Sequence, residues 1–275
     1  MRNKFQCNKP LNGLCKKIIL SSLVASSLLL AADVDVKKDD ALVTHTEFGY
    51  IQTDGNTKTK TFNLESKAEK GWDKHIFHLT FDGQYADDDG KETKNKYFIE
   101  LEYDYEFTDR FSFNYLVGYK NDKFSSFDYQ AYTGPGAKYK AIVSKNHNLS
   151  IEGNILYSVD EVMEVRTLAG EVVNYPYPAG SVVSEPSYSD DYAAYRLKGV
   201  YEWQILDNLK FDQEVSYRGS FDDSNKYFVF SKTALFSKIS DIFSAGISYK
   251  VDYVNEAGEK DNTDTTLTLN LIVDY

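Results

Sequence analysis

From Ala41 onward, polar and apolar residues alternate along most of the chain. Over 95–107, Tyr97, Ile99, Leu101, Tyr103, Tyr105 and Phe107 fall on one face of an extended strand; Phe98, Glu100, Glu102, Asp104 and Glu106 fall on the other. A repeat of two is the mark of a strand that separates two environments. The same pattern recurs in 110–124, where Phe111, Phe113, Tyr115, Val117 and Tyr119 oppose Ser112, Asn114, Leu116, Gly118 and Lys120, and again in 241–255. Twelve strands are predicted, at 41–53, 58–71, 74–86, 95–107, 110–124, 128–143, 148–159, 191–206, 208–220, 225–239, 241–255 and 263–275. Each is long enough to cross a bilayer at a tilt, which takes about 9–11 residues. The tenth is the least regular, because Phe228, Phe230 and Phe236 share a face with Lys232 and Lys238.

A strand in a closed protein core would not hold four carboxylates on its inner face, because each unpaired buried charge costs several kcal/mol. The charged faces must meet water or opposite charge, and the lumen of a barrel offers both. The expected fold is therefore an all-β, transmembrane antiparallel β-barrel of about twelve strands. The connections agree: tight turns at Trp72-Asp73, Thr108-Asp109, Lys145-Asn146, Leu206-Asp207 and Ser240-Asp241 alternate with longer polar stretches at 54–57, 87–94, 121–127, 160–190, 222–224 and 256–262. This asymmetry is that of outer-membrane barrels, with an even strand number placing both termini on the turn side. A soluble sandwich has shorter strands and more frequent turns. The stretch 160–190, with Pro176, Pro178 and Pro186, is expected as a long extracellular loop, since proline interrupts ladder pairing.

The two ends support export. Arg2, Lys4, Lys9, Lys16 and Lys17 precede an apolar run, Ile18 to Leu30, and Ala31-Ala32. This is the form of a signal peptide, here 1–32, cleaved near Ala32, followed by a barrel domain over 33–275. Its loss takes the net charge from −11 to −16 and removes both cysteines, Cys7 and Cys15. So acidic a chain lacks the basic footprint of a nucleic-acid binder. Leu267, Leu269, Leu271, Val273 and the final Tyr275 share one strand face. That ending resembles the terminal strand of bacterial outer-membrane barrels, which implies an assembly signal at Leu269, Leu271, Val273 and Tyr275. Outer-membrane lipid and the barrel-assembly machinery are the expected partners, and no cofactor is expected.

The candidate functional residues are the inward charges: Glu100, Glu102, Asp104, Glu106, Lys138, Lys140, Arg196, Lys198, Arg218 and Lys232. Glu65, Glu69, Asp82, Glu152, Glu202, Asp212, Glu214 and Asp252 join the acids, and Lys67, Lys120, Lys210 and Lys250 the bases. Acids dominate strands two to four and bases strands six to ten, so two walls of opposite sign would set a transverse field across the lumen. Either the walls pair into a lattice that fills the barrel, or they line a narrow channel. Twelve strands lie between side-chain-filled eight-stranded barrels and open sixteen-stranded porins.

Enzymatic signals are thin. His75 and His78 are three apart, which puts them on opposite strand faces and disfavours a shared metal site. No Ser–His–acid spacing stands out, and Asp87-Asp88-Asp89-Gly90 reads as a solvated turn.

The segment Gly49-Tyr50-Ile51-Gln52-Thr53-Asp54-Gly55-Asn56-Thr57-Lys58-Thr59 is similar to the opening hairpin of the salt-induced outer-membrane protein family, catalogued mainly as a domain of unknown function. Tyr85 to Gly90, Tyr103 to Arg110, Lys123 to Tyr129 and Gly134 to Tyr139 resemble successive later segments of it. The resemblance implies an outer-membrane location and a link to salt or envelope stress, and carries over no catalytic residues. The expected function is a narrow passive pore or structural envelope barrel, not an enzyme. The competing expectation is a surface-binding or adhesion barrel acting through its loops.

Overall fold

Each of the twelve alternating stretches forms a strand. In the computed structural model they are β1 (Leu42–Gln52), β2 (Thr59–Trp72), β3 (His75–Asp88), β4 (Lys91–Glu106), β5 (Phe111–Asp122), β6 (Phe127–Val143), β7 (His147–Arg166), β8 (Val182–Leu206), β9 (Leu209–Ser220), β10 (Tyr227–Lys238), β11 (Phe243–Val254) and β12 (Thr263–Asp274). Residues 41–54, 58–169, 171, 173, 182–255 and 261–274 are described, with the side chains of 163–166 and 182–188 excepted. Every strand pairs antiparallel with its neighbours in sequence, and β1 pairs with β12, so the sheet closes into a barrel. Closure satisfies the backbone without an edge, the condition for crossing a bilayer with strands. The seam is tied by side chains as well: Asn270 Nδ2 donates to Glu47 Oε2 at 2.5 Å, and the His45 ring meets Asp274 at 2.5 Å.

The two faces are sorted in the reverse of a soluble protein. Leu79, Leu101, Val117, Ile151, Ile155, Leu197, Val215, Ile247, Leu267, Leu269 and Leu271 face outward and are exposed; Glu47, Glu65, Glu100, Glu102, Asp104, Glu152, Lys96, Arg196, Lys232 and Lys250 face inward and are buried. Aromatic residues border the apolar band at both ends. On the side of the tight turns, Trp72, Phe77, Tyr103, His75, Tyr105, Phe107 and Phe111 form a chain of ring contacts. On the other side Tyr97, Tyr119 and Tyr129 stack in one ladder, and Tyr195, Tyr217, Tyr227 and Tyr253 in another. Two aromatic girdles around an apolar band fit a lipid bilayer.

Glycine makes room for large residues that point inward. Tyr132 on β6 pairs directly with Gly118 on β5, and Phe236 on β10 with Gly246 on β11. A Cβ at Gly118 would overlap the Tyr132 ring, and one at Gly246 would come to 2.5 Å from Phe236 Cδ1. Phe236, Ala234 and Ile272 form a small apolar cluster inside the barrel. That cluster accounts for Phe236 in the irregular tenth strand and for Ile272, the one apolar residue on the polar face of β12.

Two connections differ from expectation. The polar stretch 87–94 is a two-residue turn, Asp89-Gly90, between β3 and β4, with φ of 49° and 80°. Consecutive left-handed residues give the turn whose twist matches a hairpin, and Asp-Gly suits it. The expected loop 160–190 is largely hairpin: β7 and β8 stay paired out to Arg166 and Val182, with a register shift between Val162 and Glu164. Pro186 sits beside that irregularity, within β8. The connecting segment is 167–181, and Pro176 and Pro178 lie outside the described residues, as do the expected signal segment 1–32 and Tyr275.

Gly118→Val is expected to push Tyr132 from its seat and cost about 1–3 kcal/mol of stability, the usual range for overpacking. Urea unfolding of the protein folded in lipid, followed by heat-modifiable mobility, measures it; an unchanged midpoint would show that the seat is not needed.

Candidate functional site

The lumen is where the fold concentrates chemistry. The structure places Glu100, Glu102, Asp104 and Glu106 of β4, Lys138 and Lys140 of β6, Arg196 and Lys198 of β8, Arg218 of β9 and Lys232 of β10 on the inner wall. Their partners lie mostly on strands that are not neighbours. Arg196 donates to Glu100 at 2.6 Å, four strands away, and also to Glu152 on adjacent β7. Lys138 bridges Glu102 and Asp104, the latter at 2.5 Å. Lys140 reaches Glu106 at 2.9 Å, and Lys198 lies 3.8 Å from Glu100 and 3.6 Å from Glu214.

A second group spans the opposite part of the lumen. Lys232 holds Glu47 at 2.5 Å and Glu65 at 2.8 Å; Lys250 holds Glu65 at 2.7 Å and also pairs with Asp82. Near the longer loops Lys96 contacts Asp252 at 2.9 Å and Asp264 at 2.8 Å, Lys94 contacts Asp264 at 3.1 Å, and Lys120 contacts Asp252 at 3.4 Å.

The Lys120–Asp252 pair decides the shape of this mouth. It joins β5 to β11, half of the barrel apart. A circular barrel of twelve strands spaced about 4.8 Å and tilted about 40° has a backbone diameter of about 24 Å. Extended Lys and Asp side chains with their contact bridge only about 13 Å between Cα atoms by ordinary bond lengths. The wall is therefore drawn inward here, and the pair lies across the passage. At this mouth the signs are the reverse of the expected walls, with lysines on β4 and β5 and aspartates on β11 and β12, and the two sides meet. Their field closes into ion pairs, which repays desolvation only because nearly every member has a partner.

Sequence reasoning missed Glu47, Lys94, Lys96, Asp160, Lys226 and Asp264. Lys94 was hidden by starting β4 at residue 95 rather than at Lys91, and Asp160 by assigning it to a loop; Lys96 lay inside the expected strand, on the face of Glu100, and carried the ordinary signal. Glu47 carried the ordinary signal, alternation with Phe48. Asp160 is fully buried: Gln130 Nε2 donates to it at 3.1 Å, the Tyr192 hydroxyl at 2.9 Å, and Lys226 lies 3.1 Å away.

His75 and His78 do lie on different faces. His75 stacks on Trp72 and Tyr103 in the outer girdle, while His78 points inward, with Nε2 3.1 Å from Asp104 and Nδ1 3.1 Å from Glu69. His78, Glu102 and Asp104 come close enough to hold a metal ion. Lys138 already bridges both of those carboxylates, so its ammonium supplies the positive charge there.

Comparison with known families matches residues 46–275 to the model described as "Protein of unknown function, DUF481". The chain belongs to this family. No curated protein matches it. Solved structures with similar overall shape include the NanC porin (13% identity, TM-score 0.43, covering 85% of this chain and 98% of that one) and the KdgM porin (11%, 0.42, 86% and 99%). The β domain of the Bordetella autotransporter BrkA is similar at 10% identity and a TM-score of 0.42, covering 86% of this chain and 99% of that one. At these values nothing about what those proteins carry transfers to this family member.

Arg196→Met leaves Glu100 and Glu152 without their guanidinium. The expected loss is about 3–5 kcal/mol, the cost of breaking a buried pair from one side. Unfolding in lipid should show it, with partial recovery in the Glu100→Gln/Arg196→Met double variant. A single variant as stable as the parent would mean water already satisfies these carboxylates.

Proposed function

We propose that this chain is a barrel of the bacterial outer membrane, acting as a narrow passive pore whose resting state is shut by its own ion pairs. The observation that carries this reading is the set of pairs across the loop-side mouth: Lys120 and Lys96 with Asp252, and Lys94 and Lys96 with Asp264. Small solutes pass when these pairs part, and otherwise the protein is a rigid element of the envelope. No catalytic role is proposed, since the contacts of the inward His78 go to Glu69 and Asp104, an arrangement of charge balance rather than of an activated nucleophile.

The apolar band and its two aromatic girdles support insertion in a membrane, and the N-terminal sequence supports export with cleavage near Ala32. The last strand, with Leu269 and Leu271 exposed on the outer face, supports recognition by the barrel-assembly machinery through Leu269, Leu271, Val273 and Tyr275. The resemblance to the salt-induced family adds a link to salt or envelope stress, which concerns when the barrel is made.

Planar-bilayer recording tests the pore. The parent should show rare, small steps. Asp252→Asn/Asp264→Asn should open more often and favour anions, because Lys94, Lys96 and Lys120 lose their counter-charges. Large steady conductance in the parent would refute a shut lumen; silence in both proteins would remove the pore and leave the structural role. Deleting Tyr275 should lower the folded, heat-modifiable fraction in outer-membrane extracts, and an undiminished fraction would contradict an assembly role for that residue.

A further inference from the structure

Five cationic side chains are buried inside the barrel among the described residues: Lys96, Arg196, Arg218, Lys232 and Lys250. Four are matched by carboxylates, as set out above. Arg218 is the exception. It is 8% exposed, makes no ion pair with a described carboxylate, and its Nη1 is buried without a hydrogen-bond partner. Its guanidinium carbon lies 4.8 Å from the centre of the Tyr132 ring and 4.4 Å from that of Phe228. Aromatic faces stabilise a cation by about 0.5–2 kcal/mol. They do not supply the lone pairs that a guanidinium's five N–H groups require.

The surroundings hold Arg218 in place rather than neutralise it. Tyr132 is seated over Gly118 and donates its hydroxyl to Glu100 at 2.8 Å. Phe228 packs edge-on against Phe127 from the far wall, at 6.1 Å. Arg196, the cross-strand partner of Arg218, has already engaged Glu100, Glu152 and Asn154. The nearby acid Asp160 is committed to Gln130, Tyr192 and Lys226. Lys226 adds a second cation on this side, 3.8 Å from the centre of the Tyr192 ring. Leu116, Leu156 and Ala194 back Tyr132 and Tyr192 as an apolar cluster. Arg218 lies two residues from the loop-side end of β9, so the site is at the mouth of the longer loops.

We infer that Arg218, fixed between Tyr132 and Phe228, is an anion-binding site for the carboxylate of a small solute entering from the loop side. A planar guanidinium offers two parallel N–H groups to a carboxylate, and this geometry favours carboxylate over a spherical ion such as chloride. In an otherwise matched lattice, the ligand supplies the missing negative charge. The site stands on the lumen geometry and does not require conduction: a shut barrel binds at its mouth as well as an open one.

The test is ligand-observed saturation-transfer NMR on the folded mature protein in detergent, with benzoate as probe and benzamide as its uncharged counterpart, at constant ionic strength in chloride. The parent should bind benzoate saturably and benzamide at least tenfold more weakly. Arg218→Met should lose benzoate binding at least tenfold, and Arg218→Lys, which keeps the charge without the fork, should lose part of it. Inorganic phosphate that displaces benzoate would widen the ligand class to oxyanions in general, and failure to displace would confine it to carboxylates. Equal signals from benzoate and benzamide, or a folded Arg218→Met that binds as the parent does, would overturn the site. If Arg218→Met does not fold, the benzoate–benzamide contrast in the parent and the Arg218→Lys loss decide alone. Silence of both the parent and Asp252→Asn/Asp264→Asn in bilayers, with benzoate still bound through Arg218, refutes the pore and keeps the site.

Discussion

Charge that faces the inside of a barrel must find charge of the other sign. Everything characteristic of this protein follows from that constraint. The strands must keep an apolar face toward lipid, so their ionisable residues have nowhere to go but inward. Taking each ion out of bulk water costs several kcal/mol. With acids concentrated on β1–β4 and bases on β6–β11, the nearest partner is often across the lumen rather than on the neighbouring strand. Lys232 with Glu47 and Glu65 and Lys250 with Asp82 show this, and Lys96 on β4 with Asp252 on β11 crosses the lumen in the reverse sense. Long lysine side chains then act as tie-bars, and the wall is drawn in until they reach.

The same constraint explains why the protein differs from an open channel of similar strand number. A pore needs its wall charges solvated by lumen water, each held loosely enough for a solute to pass. Here the walls have condensed onto each other, with Tyr132 and Phe236 filling the space left by Gly118 and Gly246. Any passage through this mouth has to break several pairs together, because Lys96 and Asp252 each have two partners. Arg218 stands apart from this economy of paired charge, and its isolation at the loop-side mouth gives the barrel a defined point of entry for an anion.

The barrel was legible in the sequence because a strand repeat of two is strict: a slip by one residue would turn Glu100, Glu102 and Asp104 toward lipid. Strand number, inner face and most lumen residues follow from that. What was not legible depends on three-dimensional distance. Alternation shows that Lys120 and Asp252 face inward; it does not show that β5 and β11 approach closely enough for them to meet. Phe228, Phe236 and Ile272 broke the pattern on the polar face, and only the packed interior accounts for them. The segment 160–190 was misread because its prolines and acids imitate a loop, whereas Asp160 finds Gln130, Tyr192 and Lys226, and the strands continue beyond it.

The central claim is that the ion pairs across the lumen bear energy. A double-mutant cycle on Lys96→Met and Asp252→Asn, read by unfolding of the lipid-folded protein, measures that most directly. Five strand positions separate β4 from β11, so only a contact across the lumen couples the two residues. A coupling energy of about 1–3 kcal/mol, the range for contacting charges, is predicted. A coupling below about 0.3 kcal/mol, as found for independent sites, would contradict it and leave the lumen open and solvated.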